Sequence, residues 1–433
     1  MAGRIHTNER QRELFIKKST RVARSYLNRA KALPGLPDAT NPFFDALEDV
    51  YIELKDLSEG ESKYKKSIGT LCVMVPSELI YAAKARPVRL CSGSYTAYSI
   101  GDDYIPRDAC PLVKAVMGFG QIQALPAFDQ CSLIVAPVTC DCKKKLAGAL
   151  ETVKNIVPVH VPPLKREDAD IEIFLRELYR LVPILEEETG EKITARSLAE
   201  GICIVGKAQY EMSRFLKYRK HDPALVQGTH VMAVMNAYSY MPAERWTTCM
   251  HRLNLEMESR LQKQQFVGKA KQPRILVTGS PIAFPNIKIP LLIEEMGGIL
   301  AADETCMGER GLYDPVSVID PGFDGMMRAF ASRYTKPCTC PVFVDNSQRI
   351  YRIKQMVREH KVQGIVYHVL RGCLVYDYEY QIMEEEFGKM DIPIIRVESD
   401  YNEEDVEQLR IRIEAFIELI KLKEYAKHKK GRR

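Results

Sequence analysis

Over residues 69–165 short apolar runs alternate with amphipathic stretches at the spacing of strands followed by helices. TLCVMVP is a β-rich run that leads into the helix start SELIYAAKA, and PVRLCSGSY is a second strand and loop. ACPLVKAVMGFGQ opens a helix beside a cysteine. CSLIVAPVTC predicts a buried strand, DCKKKLAGALETV the helix after it, and IVPVHVP a further strand. Residues 166–270 change to long helical periodicity, as in DIEIFLRELYRLVPILEEETG and YEMSRFLKYRK. The α/β pattern restarts at 271. PRILVTGSP, ILAADETC, GIVYHVL and IPIIRVESDY read as strands, and PVFV after Cys340 is strand-like. IKIPLLIEEMGG, RIYRIKQMVREHKVQ and YEYQIMEEEFGKM read as helices, the first ending in a glycine pair that suits a C-terminal cap. The amphipathic NEEDVEQLRIRIEAFIELIKLKEY closes the chain. Residues 1–68 read mainly as helix, broken at KALPGLPDATNP. Strands alternating with helices predict parallel, doubly wound sheets. The expected fold is therefore α/β. It has an N-terminal helical segment (1–68), a first lobe (69–165), a helical connection (166–270), and a second lobe with the C-terminal helix (271–433).

Length supports this division, because 433 residues exceed the size at which a single core usually keeps growing. No apolar run is long enough to cross a bilayer. The N-terminus MAGRIHTNERQRELFIKKSTRVARSY lacks the apolar core of a secretory signal, so a cytoplasmic location without a membrane partner is expected. The net charge of +5 comes from 62 basic and 57 acidic residues, with much of the excess in the tail KLKEYAKHKKGRR. No recognition motif or aromatic-and-basic stripe accompanies that tail. It reads as a solvated terminus, and no nucleic-acid partner is expected.

Twelve cysteines change the picture. Disulfides do not persist in a cytosolic chain, so the thiols are either small core residues or ligands of a soft metal centre. The spacings are not those of zinc sites, which repeat CxxC pairs. Open α/β sheets bind ligands at the carboxyl ends of their strands, and several cysteines fall there. Cys91 follows PVRL, Cys140 ends CSLIVAPVT, Cys306 ends ILAADET, and Cys373 follows GIVYHVLRG. Cys110 opens a helix, and Cys338 and Cys340 precede PVFV. Dispersed thiolates converging on one cleft are consistent with an iron–sulfur cluster between the lobes. Cys72, Cys131, Cys203 and Cys249 sit inside apolar or helical stretches and read as core residues. The pairs Cys140/Cys142 and Cys338/Cys340 are too tight for both members to serve easily, and either member could be the ligand.

The runs ARPVRLCSG, DACPLVKAVMG, CSLIVAPVTCDCKKKL, PRILVTGSPI, AADETC, CPVFVDNSQRI, GIVYHVLRGC and IPIIRVESDY, in this order, carry a resemblance. The sequence is similar to the family of 2-hydroxyacyl-CoA dehydratases, benzoyl-CoA reductases and double-cubane cluster proteins, from about Gly69 to the C-terminal helix. The resemblance implies flavodoxin-like lobes and three cluster cysteines, matching Cys110, Cys140 and Cys373. It also implies electrons delivered by an ATP-hydrolysing activator with its own [4Fe-4S] cluster. A single [4Fe-4S] cubane needs no further cysteine. An [8Fe-9S] double cubane leaves six irons needing thiolates, and Cys91, Cys306 and Cys340 can supply the remainder. The surplus is closer to the double-cubane branch, which would be a homodimeric reductase of small molecules that are hard to reduce. The alternative is one subunit of a 2-hydroxyacyl-CoA dehydratase.

Other polar residues add detail. His368 and Arg371 could donate protons or hydrogen bonds near Cys373, although His368 equally reads as a satisfied sheet-end histidine. Gly279, Ser280 and Pro281 form a strand-to-helix turn that could face an anion. Lys143, Lys144 and Lys145 read as a solvated helix face. No GxxxxGK[ST] run is present, which places ATP hydrolysis on a separate protein.

Overall fold

The computed structural model describes residues 9–57 and 63–430. The first eight residues of the charged N-terminus and the last three of the basic tail lie outside the described residues. The strands are β1 (Ser67–Thr70), β2 (Arg86–Arg89), β3 (Cys131–Val138), β4 (Ile156–His160), β5 (Arg274–Gly279), β6 (Ile299–Glu304), β7 (Gly364–Leu370) and β8 (Ile394–Ser399). They form two sheets of order β2-β1-β3-β4 and β6-β5-β7-β8, in which every pairing is parallel. This is the expected α/β architecture of two flavodoxin-like lobes. Strand order reverses between β1 and β3 and again between β5 and β7. Such switch points leave a crevice at the strands' carboxyl ends.

The sheets are covered on both faces, which is why their strands read as nearly continuous apolar runs. In β3, Leu133 and Val135 enter one core cluster while Ile134 and Ala136 enter another. In β7, Val366 points one way while Ile365 and Tyr367 point the other. Ile134 and Ala136 of the first sheet share a cluster with Ile275, Val277 and Val366 of the second, so one apolar core ties the lobes together. The helices Glu9–Ala32 and Asn41–Tyr51 pack into it through Phe15, Tyr26, Phe43 and Phe44. Arg29 pairs with Glu295 at 2.9 Å across that contact. The stretch after β4 folds as four helices, Asp168–Thr189, Ala195–Arg219, Gly228–Ala237 and Ala243–Gln262.

Two strand expectations are corrected. β1 ends at Thr70, and the apolar LCVMV beyond it is a buried loop, with Leu71, Cys72, Met74 and Val75 all sequestered. The ladder stops because Pro76 and the helix Ser77–Ala82 redirect the chain. PVFV is likewise a loop. Pro341 has no N–H to donate, Val344 makes a single backbone bond to the Pro163 carbonyl, and its side chain is 73% exposed. A helix not anticipated, Phe323–Thr335, lies within the crossover from β6 to β7. Its Met326, Met327, Phe330 and Tyr334 pack with Leu79 and Val161 of the first lobe and with Phe174 of the helix Asp168–Thr189. Tyr334 donates to Glu78 at 2.6 Å. The second lobe thus sends a segment across the first, and Cys338 and Cys340 travel with it.

Candidate functional site

One thiol group gathers at the β3, β5 and β7 ends. Cys110 precedes the helix Pro111–Ile122, and its sulfur accepts the backbone N–H groups of Leu112 and Val113. Cys373 precedes the helix Leu374–Gly388 and faces the Tyr376 N–H and the Ser280 hydroxyl. Helix N-termini stabilise anions through unpaired N–H groups and the helix dipole. The two sulfurs are brought together by Gly372. Its φ of +73° is left-handed, and a Cβ there would lie 2.2 Å from the Asp108 carbonyl oxygen. Only a glycine lets the two loops touch this closely. Cys110 donates its proton to Cys373, which drops Cys373 to about 7 against the opposing effect of burial. The same bond, with burial, raises Cys110. Cys140 precedes the helix Asp141–Leu150 and faces both Cys373 and Lys143; burial raises its thiol. Cys142, one step into that helix, is half-buried against the apolar core.

A second group lies where β1, β2 and β6 end. Cys91 leaves β2, and its sulfur is 3.6 Å from the Leu71 carbonyl. Cys306 leaves β6 and is fastened to β2 because Arg89 donates to its carbonyl at 3.0 Å. Cys338 and Cys340 arrive on the crossover, where Lys165 donates to the Cys338 carbonyl. Cys72 lies among them, in electrostatic reach of Cys91, Cys306, Cys338 and Cys340. It was expected to be a plain core residue. The fold places it just past the end of β1 instead, because that strand stops short.

Several cations face these thiols, among them Arg89, Lys165, Lys143 and Arg310. Lys143 was expected on a solvated face, and Lys144 and Lys145 are exposed there. Lys143 itself turns inward to Cys72, Cys91, Cys140 and Cys340. Burial would lower its pKa, but those thiols outweigh burial and raise it. Lys143 therefore stands between the two groups. Arg310 faces Cys306, Cys338 and Cys340 and is held by Glu304, the last residue of β6, at 2.7 and 2.6 Å. Glu304 also accepts from Thr278 and Thr339 at 2.7 Å each and from Arg349 at 3.1 Å. Burial favours its neutral form, yet Arg310 and Arg349 carry its carboxyl down to about 2. Every member of this buried network is paired, as buried ionic groups require.

His368 is buried, with Nε2 2.8 Å from the Ser399 hydroxyl and Nδ1 3.4 Å from the Ser280 carbonyl. Burial depresses its pKa to about 4, so the imidazole is neutral. It orients Ser280, whose Oγ accepts the Leu370 N–H at 3.0 Å and whose hydroxyl faces Cys373. Arg371 is an outer residue whose side chain pairs with Asp400 at 2.9 Å. Of the other expected core cysteines, Cys131 is buried at the start of β3, away from the cleft, where it donates to the Ala127 carbonyl. Cys249 is buried in its helix, whereas Cys203 is exposed.

The donor set fits an iron–sulfur cluster by its chemistry. It consists of thiols, with amide N–H groups and cations around them. Among the described residues no three His, Cys, Asp or Glu side chains gather closely enough to hold a single metal ion. A cluster differs from one ion in taking one thiolate per iron, at separated positions. A groove of about 670 Å³, lined by Thr139, Cys140, Pro341, Val375 and Tyr378, opens onto the site. Leu374, Tyr378 and Ile382 make an exposed apolar stripe beside it. No described helix is long and apolar enough to cross a membrane.

YjiM of Escherichia coli (strain K12), provisionally named a dehydratase subunit, is 29% identical over 89% of this chain and 98% of its own length. The (R)-phenyllactyl-CoA dehydratase beta subunit of Clostridium sporogenes is 27% identical over 85% of this chain and 98% of its own. The lactoyl-CoA dehydratase subunit beta of Anaerotignum propionicum is 23% identical over 86% and 99%. The family of the 2-hydroxyglutaryl-CoA dehydratase D-component matches residues 72–420, which contain both thiol groups, and the chain belongs to that family.

Proposed function

We propose that the protein is an iron–sulfur reductase. It would hold an [8Fe-9S] double cubane through Cys110, Cys140 and Cys373 on one side and Cys91, Cys306 and Cys340 on the other. The observation that carries this reading is the second thiol group, set against the first across Lys143. When bound, such a cluster supplies one-electron chemistry at low potential. The chain's own residues hold and tune it. Lys143 and Arg310 offset thiolate charge, Ser280 presents a hydroxyl to Cys373, and the buried loops exclude water. Electrons would come from a separate ATP-hydrolysing [4Fe-4S] activator, for which the apolar stripe at Leu374, Tyr378 and Ile382 beside Cys373 offers a seat. The substrates would be small molecules that are hard to reduce, such as those with triple or N–N bonds, and the protein would act as a homodimer. Reduction of such a molecule by protein, activator and ATP together, and by neither protein alone, tests the reading. Its absence across that substrate class contradicts it.

A second reading is favoured by the names of the relatives, which are dehydratase subunits. Here Cys110, Cys140 and Cys373 would hold a single [4Fe-4S] cluster, and a different subunit would complete a 2-hydroxyacyl-CoA dehydratase. Cys91, Cys306 and Cys340 would then be bystanders, so iron content in Cys306→Ala separates the two readings.

A further inference from the structure

A cleft of about 640 Å³ opens at the amino end of β2, whereas the thiols gather at the carboxyl ends of the strands. Its walls come from the helix Asn41–Tyr51, the chain after it, Arg86 of β2 and the start of the helix Ala243–Gln262. On its inner side Tyr240 bonds Tyr51 at 2.6 Å, and Tyr51 donates to Ser92 at 3.0 Å. Buried hydroxyls therefore stand between the cleft and Cys91.

The charges lining the cleft do not balance. Asp49 pairs with Lys55 at 2.6 Å, Glu244 pairs with Lys63 at 2.8 Å, and Asp56 is engaged as well. Arg86 and Arg245 are left over. Arg245 is exposed and makes no ion pair or hydrogen bond among the described residues. Arg86 is only 5% exposed. Its Nη1 donates to the Leu57 carbonyl at 2.8 Å, while its Nε is buried without a partner. Burial lowers its pKa, and no carboxylate is among the groups acting on it, although the second guanidinium, Arg245, is. A buried charge without a counter-charge is costly, and two like charges in one cleft repel. An anion between them relieves both costs. The amino end of the helix Ala243–Gln262 adds its partial positive charge at the same place. Guanidinium forks match oxyanions, and a pair of them suits a dianion such as phosphate better than a single carboxylate. The cleft lies within the roughly 300–1,000 Å³ of small-molecule sites and is far larger than a bare oxyanion. Val50, Leu57 and Met241 give the remaining space an apolar wall.

We propose that this cleft binds a phosphate monoester, with Arg86 and Arg245 gripping the phosphate and the organic part lying against Val50, Leu57 and Met241. The site is separate from the thiol cleft and does not depend on which cluster the thiols hold.

The test is isothermal titration calorimetry at fixed ionic strength on the anaerobically purified full chain. The probes are phenyl phosphate, inorganic phosphate and phenylacetate, and the proteins are wild type, Arg86→Met and Arg245→Ala. Folding is checked by circular dichroism, and the exposed Arg245 carries the test if Arg86→Met does not fold. Wild type is expected to bind one phenyl phosphate per chain, with a Kd below about 1 mM and tighter than inorganic phosphate. Arg245→Ala should bind it at least about fivefold more weakly, and folded Arg86→Met should not bind it measurably. Three results overturn the proposal. They are no saturable binding by wild type up to about 10 mM, unchanged affinity in Arg245→Ala or in folded Arg86→Met, and phenylacetate binding as tightly as phenyl phosphate.

Discussion

Gly372→Ala is the substitution that most directly probes how the first thiol group is assembled. The new Cβ would sit 2.2 Å from the Asp108 carbonyl oxygen, where ordinary contact begins at 3.4 Å, so one loop must retreat by about 1.2 Å. Asp108 is two residues from Cys110, and Gly372 adjoins Cys373, so the retreat separates these two sulfurs. A left-handed φ for a residue with a Cβ costs about 1–2 kcal/mol, and the overpacking adds about 1–3 kcal/mol. The expected loss of stability is thus about 2–5 kcal/mol by urea unfolding of the anaerobic protein. Iron content should fall with it, because the Cys110–Cys373 hydrogen bond cannot survive that displacement. Gly206→Ala is the matched control. It lies within the helix Ala195–Arg219, nothing comes within 4 Å of its added Cβ, and it should be neutral or stabilising by about 0.5–1 kcal/mol. Wild-type iron and stability within about 0.5 kcal/mol in Gly372→Ala would refute the reasoning.

Three further outcomes follow from the geometry. Lys143→Met removes a positive charge that faces four thiols, so the midpoint potential of the bound cluster should become more negative; an unchanged or more positive potential in a redox titration argues against its tuning role. Arg349→Met leaves Glu379 unpaired and strips one partner from Glu304, at an expected cost of about 3–5 kcal/mol by urea unfolding, and a cost below about 1 kcal/mol counts against the network. Burial holds His360 at about 3 against 6.5 when unfolded, its Nδ1 meeting the Ala301 carbonyl at 2.9 Å. A depressed histidine contributes stability above 6.5 that is lost as pH falls from 6.5 toward about 3. His360→Asn should therefore shrink the stability difference between about pH 7.5 and 5.5 by about 1.4 kcal/mol, and an unchanged difference refutes the assignment.

Much of the fold was legible because parallel strands covered on both faces read as apolar runs, and their glycine and proline boundaries mark the crossovers. The crossover from β6 to β7 was not. Its helix Phe323–Thr335 is stabilised by Val161 of the first lobe and Phe174 of the connecting helices, and local periodicity does not reveal a distant partner. At the site, cysteines that follow a strand could be recognised by position. Cys72 was hidden because LCVMV has the composition of a strand, although the Pro76-Ser77 helix start immediately after it signals an early strand end. Lys143 was hidden in a run of three lysines. Its place three residues after Cys140, in the first turn of the following helix, was the available signal that it faces the same cleft.

The most direct test of the central claim is iron and acid-labile sulfide per chain on protein purified without air. About eight irons per chain is the predicted result, since both thiol groups would then be engaged by a double cubane. About four would contradict it, leaving the second thiol group unengaged and favouring the dehydratase-subunit reading.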